Sequence, residues 1–225
     1  LGLVAMEQPV RNEARLVSGE LAKVFGCITP PAPGDAALGQ YVRSPAGPGY
    51  CEEPGIAPGS ITPTCAAVAL RIQNRRWADV PFLVRAGKAL DGCLTEVRVR
   101  FHDVPANVCC RDHKRLSSNE MVIRVQPDPA ITLKIASKVP GLNLELAESE
   151  LDLTYARAFN AAIPEAYECL LLDAIAGDQG LFVDADVLSA AWDVFTPLLH
   201  GIERLRPEPE RYSFGGQWPE AWDCL

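Results

Sequence analysis

Apolar and polar positions alternate with period two in several stretches of the chain. Ala66, Val68, Leu70 and Ile72 alternate with Ala67, Ala69, Arg71 and Gln73, the pattern of a strand with one buried face. Val97, Val99 and Phe101 alternate in the same way with Glu96, Arg98 and Arg100. Residues 121–126 (MVIRVQ) and 131–135 (ITLKI) repeat it on either side of Pro127-Asp128-Pro129, which predicts a hairpin. Elsewhere the period lengthens. Residues 12–25 read as a helix with Leu21, Val24 and Phe25 on one stripe. Pro164 suits a first turn and Gly177 a stop, with Tyr167, Leu170, Leu171, Ala174 and Ile175 between them. Asp184 can cap a further helix, striped by Leu188, Ala191, Trp192 and Phe195 and ending near Pro197.

Residues 29–63 are rich in Pro and Gly, which predicts a mostly irregular crossing interrupted by a short strand at Leu38-Gly39-Gln40-Tyr41. Residues 206–225 show no periodicity. Strands followed by helices predict an α+β fold, with a large mainly antiparallel sheet and helices packed on one side. A length of 225 residues fits one large domain or two small ones.

Composition narrows the functional classes. A formal net charge of −8 opposes general nucleic-acid affinity, which needs surplus Lys and Arg. No run approaches the roughly 20 apolar residues of a membrane span. The eight cysteines contain no C-x-x-C pair, which favours a reducing compartment. Cys65 and Cys169 sit in apolar patterns and read as small core residues. Cys109-Cys110-Arg111-Asp112-His113 lacks the paired spacing of a structural zinc site, so no metal is expected.

Candidate chemistry centres on cations. Lys88 follows the apolar run Phe82-Leu83-Val84, where strand gives way to loop, and Gly87 permits unusual dihedrals beside it. Such a lysine suits an anion, although the same residue could be an ordinary loop lysine. Arg98, Arg124 and Lys134 each lie opposite the apolar residues of their own strand. If those strands are neighbours, the three form a basic groove suited to phosphate oxygens, or else a solvated face with surface ion pairs. His102, His113 and His200 fit no catalytic arrangement. Asp79, Asp103, Glu148 and Glu150 read as solvated or capping carboxylates.

The stretches Asn74-Arg75-Arg76-Trp77-Ala78-Asp79-Val80-Pro81-Phe82 and Gly87-Lys88-Ala89-Leu90 resemble hallmark segments of the C-terminal domain of glucose-6-phosphate dehydrogenases. Further collinear matches are VAMEQP at residues 4–9, LGQY at 38–41, VIRVQP at 122–127, ESELDLTY at 148–155 and FTPLL at 195–199. The resemblance covers residues 1–225 nearly end to end. It implies an NADP-dependent oxidation of glucose 6-phosphate to the 6-phosphogluconolactone, in the oxidative pentose phosphate pathway. Lys88 would reach the sugar phosphate and Gln126 the sugar. Arg85, Arg98, Arg124, Lys134 and Asp152 match positions that bind a second, structural NADP in some lineages. The family also forms dimers and tetramers through this domain, so a homodimer or homotetramer is expected.

The coenzyme-binding half, with its Gly-rich turn, does not occur in the sequence, and the family's general base falls just upstream of Leu1. No catalytic residue is therefore expected within the chain, and by itself it should not produce NADPH. Four positions depart from the family pattern. Cys93 and Leu94 stand where basic residues are usual, Thr132 where a Tyr stacks, and Gln217 where an Arg is usual. Each lost charge or stacking surface costs about 1 kcal/mol or more, which implies a weakened nucleotide site. The substrate phosphate clamp is weakened too, unless Arg100 rebuilds it. The alternative reading is a noncatalytic remnant serving as an NADP-binding or oligomerisation module. The expected compartment is cytoplasmic, with the plastid stroma as the alternative.

Overall fold

A computed structural model describes residues 1–103, 118–142, 146–159 and 164–219. In chain order the helices and strands begin with α1 (Gly2–Ala5), α2 (Ala14–Gly26), β1 (Ala36–Val42), β2 (Cys65–Arg71) and β3 (Pro81–Gly87). There follow β4 (Thr95–Arg100), β5 (Glu120–Gln126), β6 (Ala130–Lys138), β7 (Leu146–Thr154) and α3 (Tyr155–Phe159). The C-terminal third adds α4 (Ala166–Ala176), α5 (Ala185–Leu205) and β8 (Glu210–Ser213). The fold is α+β and mostly antiparallel, as expected. Its strands fall into two four-stranded sheets, β3-β2-β1-β8 and β4-β5-β6-β7. They belong to two compact units, one of residues Leu1–Gly92 with those from Ala166 onward, the other Cys93–Glu165.

In the first unit, β2 is buried on both faces rather than one. Val68, Leu70 and Ile72 pack with Val24 of α2 and with Val194 and Leu198 of α5. On the opposite face Ala67 is 0% exposed and joins Cys65, Tyr41 and Tyr212 in a second core. The small Cys and Ala side chains leave room there for a ring cluster. Tyr41 meets Tyr50, Tyr212 and Phe214 edge to face, with centroids 5.8, 6.2 and 5.6 Å away. Alternation marked the branched face of β2, but alanines on the other face looked like a boundary with solvent.

α5 is longer than its periodicity and Pro197 predict. Asp184 caps it as expected, its Oδ1 accepting from Val187 N at 2.9 Å. The helix does not end at Pro197; it runs to Leu205, and Arg206 closes it in the left-handed region at φ 46°. Proline forfeits one backbone hydrogen bond, but burial of Val194, Leu198 and Gly201 on both sides of it holds the helix together. Gly201 is required by close approach, because a Cβ there would lie 2.7 Å from Pro33 Cγ. The buried stripe is Val187, Val194, Leu198 and Gly201, whereas Leu188 is 51% and Trp192 55% exposed. α4 stops at Gly177, φ 74°, as read from the sequence. Its apolar residues Tyr167, Leu171 and Ile175 nevertheless face outward within the described chain.

β8 had no periodic signal. It pairs parallel to β1, in register Gly39↔Glu210 to Val42↔Ser213, inside an otherwise antiparallel sheet.

In the second unit, all neighbouring strands are antiparallel. The predicted hairpin is β5–β6, with Ile123 opposite Ile131 and Asp128 at φ 51° in the turn. β7 carries its own period-two signal in Glu150, Leu151, Asp152, Leu153 and Thr154 and pairs along the whole of β6. Phe101 lies beyond β4 and is exposed, so the buried positions of that strand reduce to Val97 and Val99, both half-buried. Among the described residues, no helix is long and apolar enough to cross a membrane.

Candidate functional site

Lys88 stands one residue past the end of β3 with its side chain exposed. Its backbone is held on both sides. Lys88 N donates to Thr64 O at 2.9 Å, and the Tyr212 hydroxyl donates to Lys88 O at 2.7 Å. The expected role of Gly87 is corrected: its φ is not positive, and the left-handed turn falls on Ala89, at φ 52°. Gly87 is needed for space instead, because a Cβ would come within 2.9 Å of both Cys65 Sγ and Leu90 Cδ1. Burial pushes the Cys65 thiol up to about 11, which keeps it protonated and inert beneath the loop.

Arg85, near the end of β3, pairs with Ala67, and its guanidinium lies 5.4 Å from the centroid of the Trp218 ring. Cys93 and Leu94, the departures from the basic pattern, are both exposed.

The remaining candidates lie in the second unit. Residues directly opposite one another across antiparallel strands share a face. Arg98, Val122, Thr132 and Asp152 form one such rung, Glu96 and Arg124 belong to the next, and Arg100, Glu120, Lys134 and Glu150 to the one on the other side. Arg98, Arg124, Lys134 and Asp152 therefore occupy one sheet face, as the alternation predicted for the cations. The face is not a basic groove, however. Arg98 bridges to Glu96 and, at 3.6 Å, to Glu120, and Lys134 approaches Glu120 at 3.9 Å. A groove of about 510 Å³ at one end of the face is lined by Arg98, Arg100 and Lys134 but equally by Asp103, Glu120 and Glu148. Alternation located the cations correctly and put Glu96 beside Arg98; it could not show that Glu120, from the neighbouring strand, would meet both Arg98 and Lys134. Gln126 ends β5, exposed and opposite Thr95.

Sequence reasoning missed several anchors within the first unit. Trp77, from the NRRW segment, donates through its indole to Ala5 O at 2.8 Å. Arg76 holds Glu7 with two hydrogen bonds, at 2.8 and 2.6 Å. The VAMEQP and NRRW segments are thus joined to each other, which their charge complementarity could have suggested. Tyr212 and Arg211 carried no local signal. His102 is exposed past β4 and His200 is exposed on α5. His113 and the Cys109-Cys110 pair lie outside the described residues. Among those described, no group of three or more His, Cys, Asp and Glu residues could hold a metal.

Together these features define a two-sheet, mainly antiparallel α+β protein that presents a backbone-anchored lysine and a mixed-charge sheet face. The chain belongs to the glucose-6-phosphate dehydrogenase family, matching the family described as "Glucose-6-phosphate dehydrogenase, C-terminal domain" over residues 1–225. It is 45% identical over 228 residues to a glucose-6-phosphate 1-dehydrogenase of Dictyostelium discoideum, covering 100% of this chain and 46% of that protein. It is 46% identical over 226 residues to a chloroplastic glucose-6-phosphate 1-dehydrogenase of Arabidopsis thaliana, covering 97% of this chain and 38% of that protein. A solved glucose-6-phosphate dehydrogenase in complex with glucose 6-phosphate superposes with a TM-score of 0.88 at 40% identity, over 97% of this chain and 45% of that one. The chain spans less than half the length of each of these relatives.

Proposed function

We propose that the chain supplies the substrate-side and oligomerisation domain of a glucose-6-phosphate 1-dehydrogenase, which oxidises glucose 6-phosphate to 6-phosphogluconolactone. NADP, when bound, accepts the hydride from the anomeric carbon. The observation that carries this reading is Lys88: an exposed ammonium on a backbone fixed at both its N–H and its carbonyl, in a chain of which 97% superposes on a structure described as holding the substrate. A compact cation held in this way neutralises phosphate charge and donates hydrogen bonds to it without first paying to order its own loop. Gln126 is assigned a hydrogen bond to the sugar. Hydride acceptor and proton-abstracting base are assigned to the part of the relatives' length that this chain does not span, so the chain alone is inactive.

A second, structural NADP is proposed on Arg85, Arg98, Arg124, Lys134 and Asp152, and its affinity is low. Glu96 and Glu120 already engage Arg98 and Lys134, and Thr132 offers no stacking ring. The intact protein is a homodimer or homotetramer. It acts in the cytoplasm, with the plastid stroma as the alternative suggested by the relatives named chloroplastic.

The test is NADPH formation by the full-length protein with glucose 6-phosphate and NADP. Loss of a charge-assisted contact in Lys88→Ala should raise KM for glucose 6-phosphate about tenfold or more. Absence of turnover by the full-length protein, or an unchanged KM in the variant, overturns the reading.

A further inference from the structure

Lys88 is not held by its own strand neighbours alone. The segment 212–216, more than 120 residues further along the chain, runs beside residues 88–91 and bonds to them three times. Tyr212 Oη donates to Lys88 O at 2.7 Å, Gly215 N donates to Ala89 O at 2.8 Å, and Asp91 N donates to Gly216 O at 2.9 Å. Leu90 and Gly216 form a parallel bridge at the same place. The Tyr212 hydroxyl, on a residue that is itself buried, also lies 2.9 Å from Thr64 Oγ1. With the phenolic proton given to Lys88 O, the Thr64 hydroxyl supplies the proton of that second contact. Thr64 Oγ1 in turn accepts from Tyr41 N at 3.1 Å, and Thr64 O receives Lys88 N. Both backbone polar groups of Lys88 therefore converge on the Tyr212–Thr64 pair. From the far side Ser44 Oγ donates to Phe214 O at 2.6 Å, and Phe214 N donates to Val42 O at 2.9 Å, which ties the segment to β1.

We propose that residues 212–216 form a strap that sets the position of the Lys88 loop, and that Tyr212 is a positioning residue for sugar-phosphate binding. The inference rests on the assignment of Lys88 to the substrate phosphate. A phosphate-binding lysine gains affinity when its loop is fixed before the ligand arrives, because loop ordering is then not charged against binding. Tyr212→Phe keeps the ring in its core and removes only the hydroxyl that reaches Lys88. A purely structural defect would lower the folded, active fraction and so the apparent kcat. A positioning defect raises KM for the sugar phosphate and leaves KM for NADP alone.

In the full-length protein, Tyr212→Phe is expected to raise KM for glucose 6-phosphate about fivefold, the size of one lost hydrogen bond, with kcat within about twofold of wild type. Lys88→Ala with Tyr212→Phe should be no worse than Lys88→Ala alone, since the strap acts through the lysine. Ser44→Ala, which removes the hydrogen bond to Phe214 O without touching the loop, should shift KM in the same direction and provides the test should Tyr212→Phe not fold. If Lys88→Ala raises KM while Tyr212→Phe and Ser44→Ala leave it unchanged, the strap is refuted and the substrate assignment stands. If Lys88→Ala itself leaves KM unchanged, the substrate assignment falls and the strap with it.

Discussion

Gln40 Oε1 accepts a hydrogen bond from Arg211 Nη1 at 3.0 Å, joining two residues 171 positions apart in the chain. Gln40 is only 1% exposed, and its Nε2 donates to Ser60 O at 2.7 Å and to Thr62 O at 3.0 Å. One buried amide thus holds the loop before β2 to β1 and, through Arg211, holds β8 as well.

Gln40→Leu should therefore cost about 2–4 kcal/mol. It keeps the bulk but takes the buried amide away from the carbonyls of Ser60 and Thr62 and removes one acceptor from Arg211, whose half-exposed guanidinium keeps Glu208. Urea denaturation of the chain measures it. A loss below about 0.5 kcal/mol would show that solvent or neighbouring groups satisfy these atoms in the variant.

Gly87→Ala should be destabilising through sterics and not through dihedral strain. The added methyl meets Cys65 Sγ and Leu90 Cδ1, each at 2.9 Å, where the exposed strand end closes over the buried Cys65, and such overpacking costs roughly 1–3 kcal/mol. Because the clash is specific, Cys65→Ala should recover part of the loss, giving a double variant less damaged than the sum of the two singles. Strict additivity in thermal denaturation would count against this account.

Two substitutions on α5 separate the helical stripe read from periodicity from the one selected by packing. Leu198→Ala removes a side chain that is 3% exposed and should cost about 2–5 kcal/mol. Leu188→Ala, at a position 51% exposed, should change stability by no more than about 0.5 kcal/mol. The reverse order in denaturation midpoints would mean that the helix is rotated about its axis relative to the sheet.

The cap of α5 should carry a pH dependence. Backbone hydrogen bonding from Val187, and then the Ser18 hydroxyl, holds the Asp184 carboxyl below its usual value of 3.8. A group whose folded-state pKa is depressed stabilises the fold above its unfolded value, and that contribution is lost as pH falls through the folded one. Asp184→Asn keeps a capping oxygen without the charge. Wild type should thus exceed the variant in denaturation midpoint near neutrality, with the gap closing as pH drops below 3.8. A gap that does not vary with pH would mean that the charge plays no part in the cap.

Much of the architecture was legible locally. The β5–β6 hairpin, α2, the stop at Gly177 and the cap at Asp184 all follow from period, turn chemistry and capping oxygens that act within a few residues. The common face of Arg98, Arg124 and Lys134 also followed, since alternation fixes which way a side chain points once strands are neighbours. The engagement of Arg98 and Lys134 by Glu120 did not, because cross-strand register decides which charges on different strands meet. The helix stripe on α5 was right at Phe195, which packs on the core, and wrong at Leu188 and Trp192, because several apolar residues compete around that helix and only the partners supplied by α2 and β2 choose among them.

The amino-acid order alone determined the strand and helix periods, the collinear segments that mark the family, and the place of Lys88 at a strand end. Tertiary structure alone decided that β2 is buried on both faces, that β8 exists, and that Tyr212 reaches the carbonyl of Lys88. The physical reason is range. Period and capping arise between residues within one or two turns of each other, whereas burial of Ala67 and pairing of β8 depend on groups brought together from distant parts of the chain, and these leave no trace in local pattern.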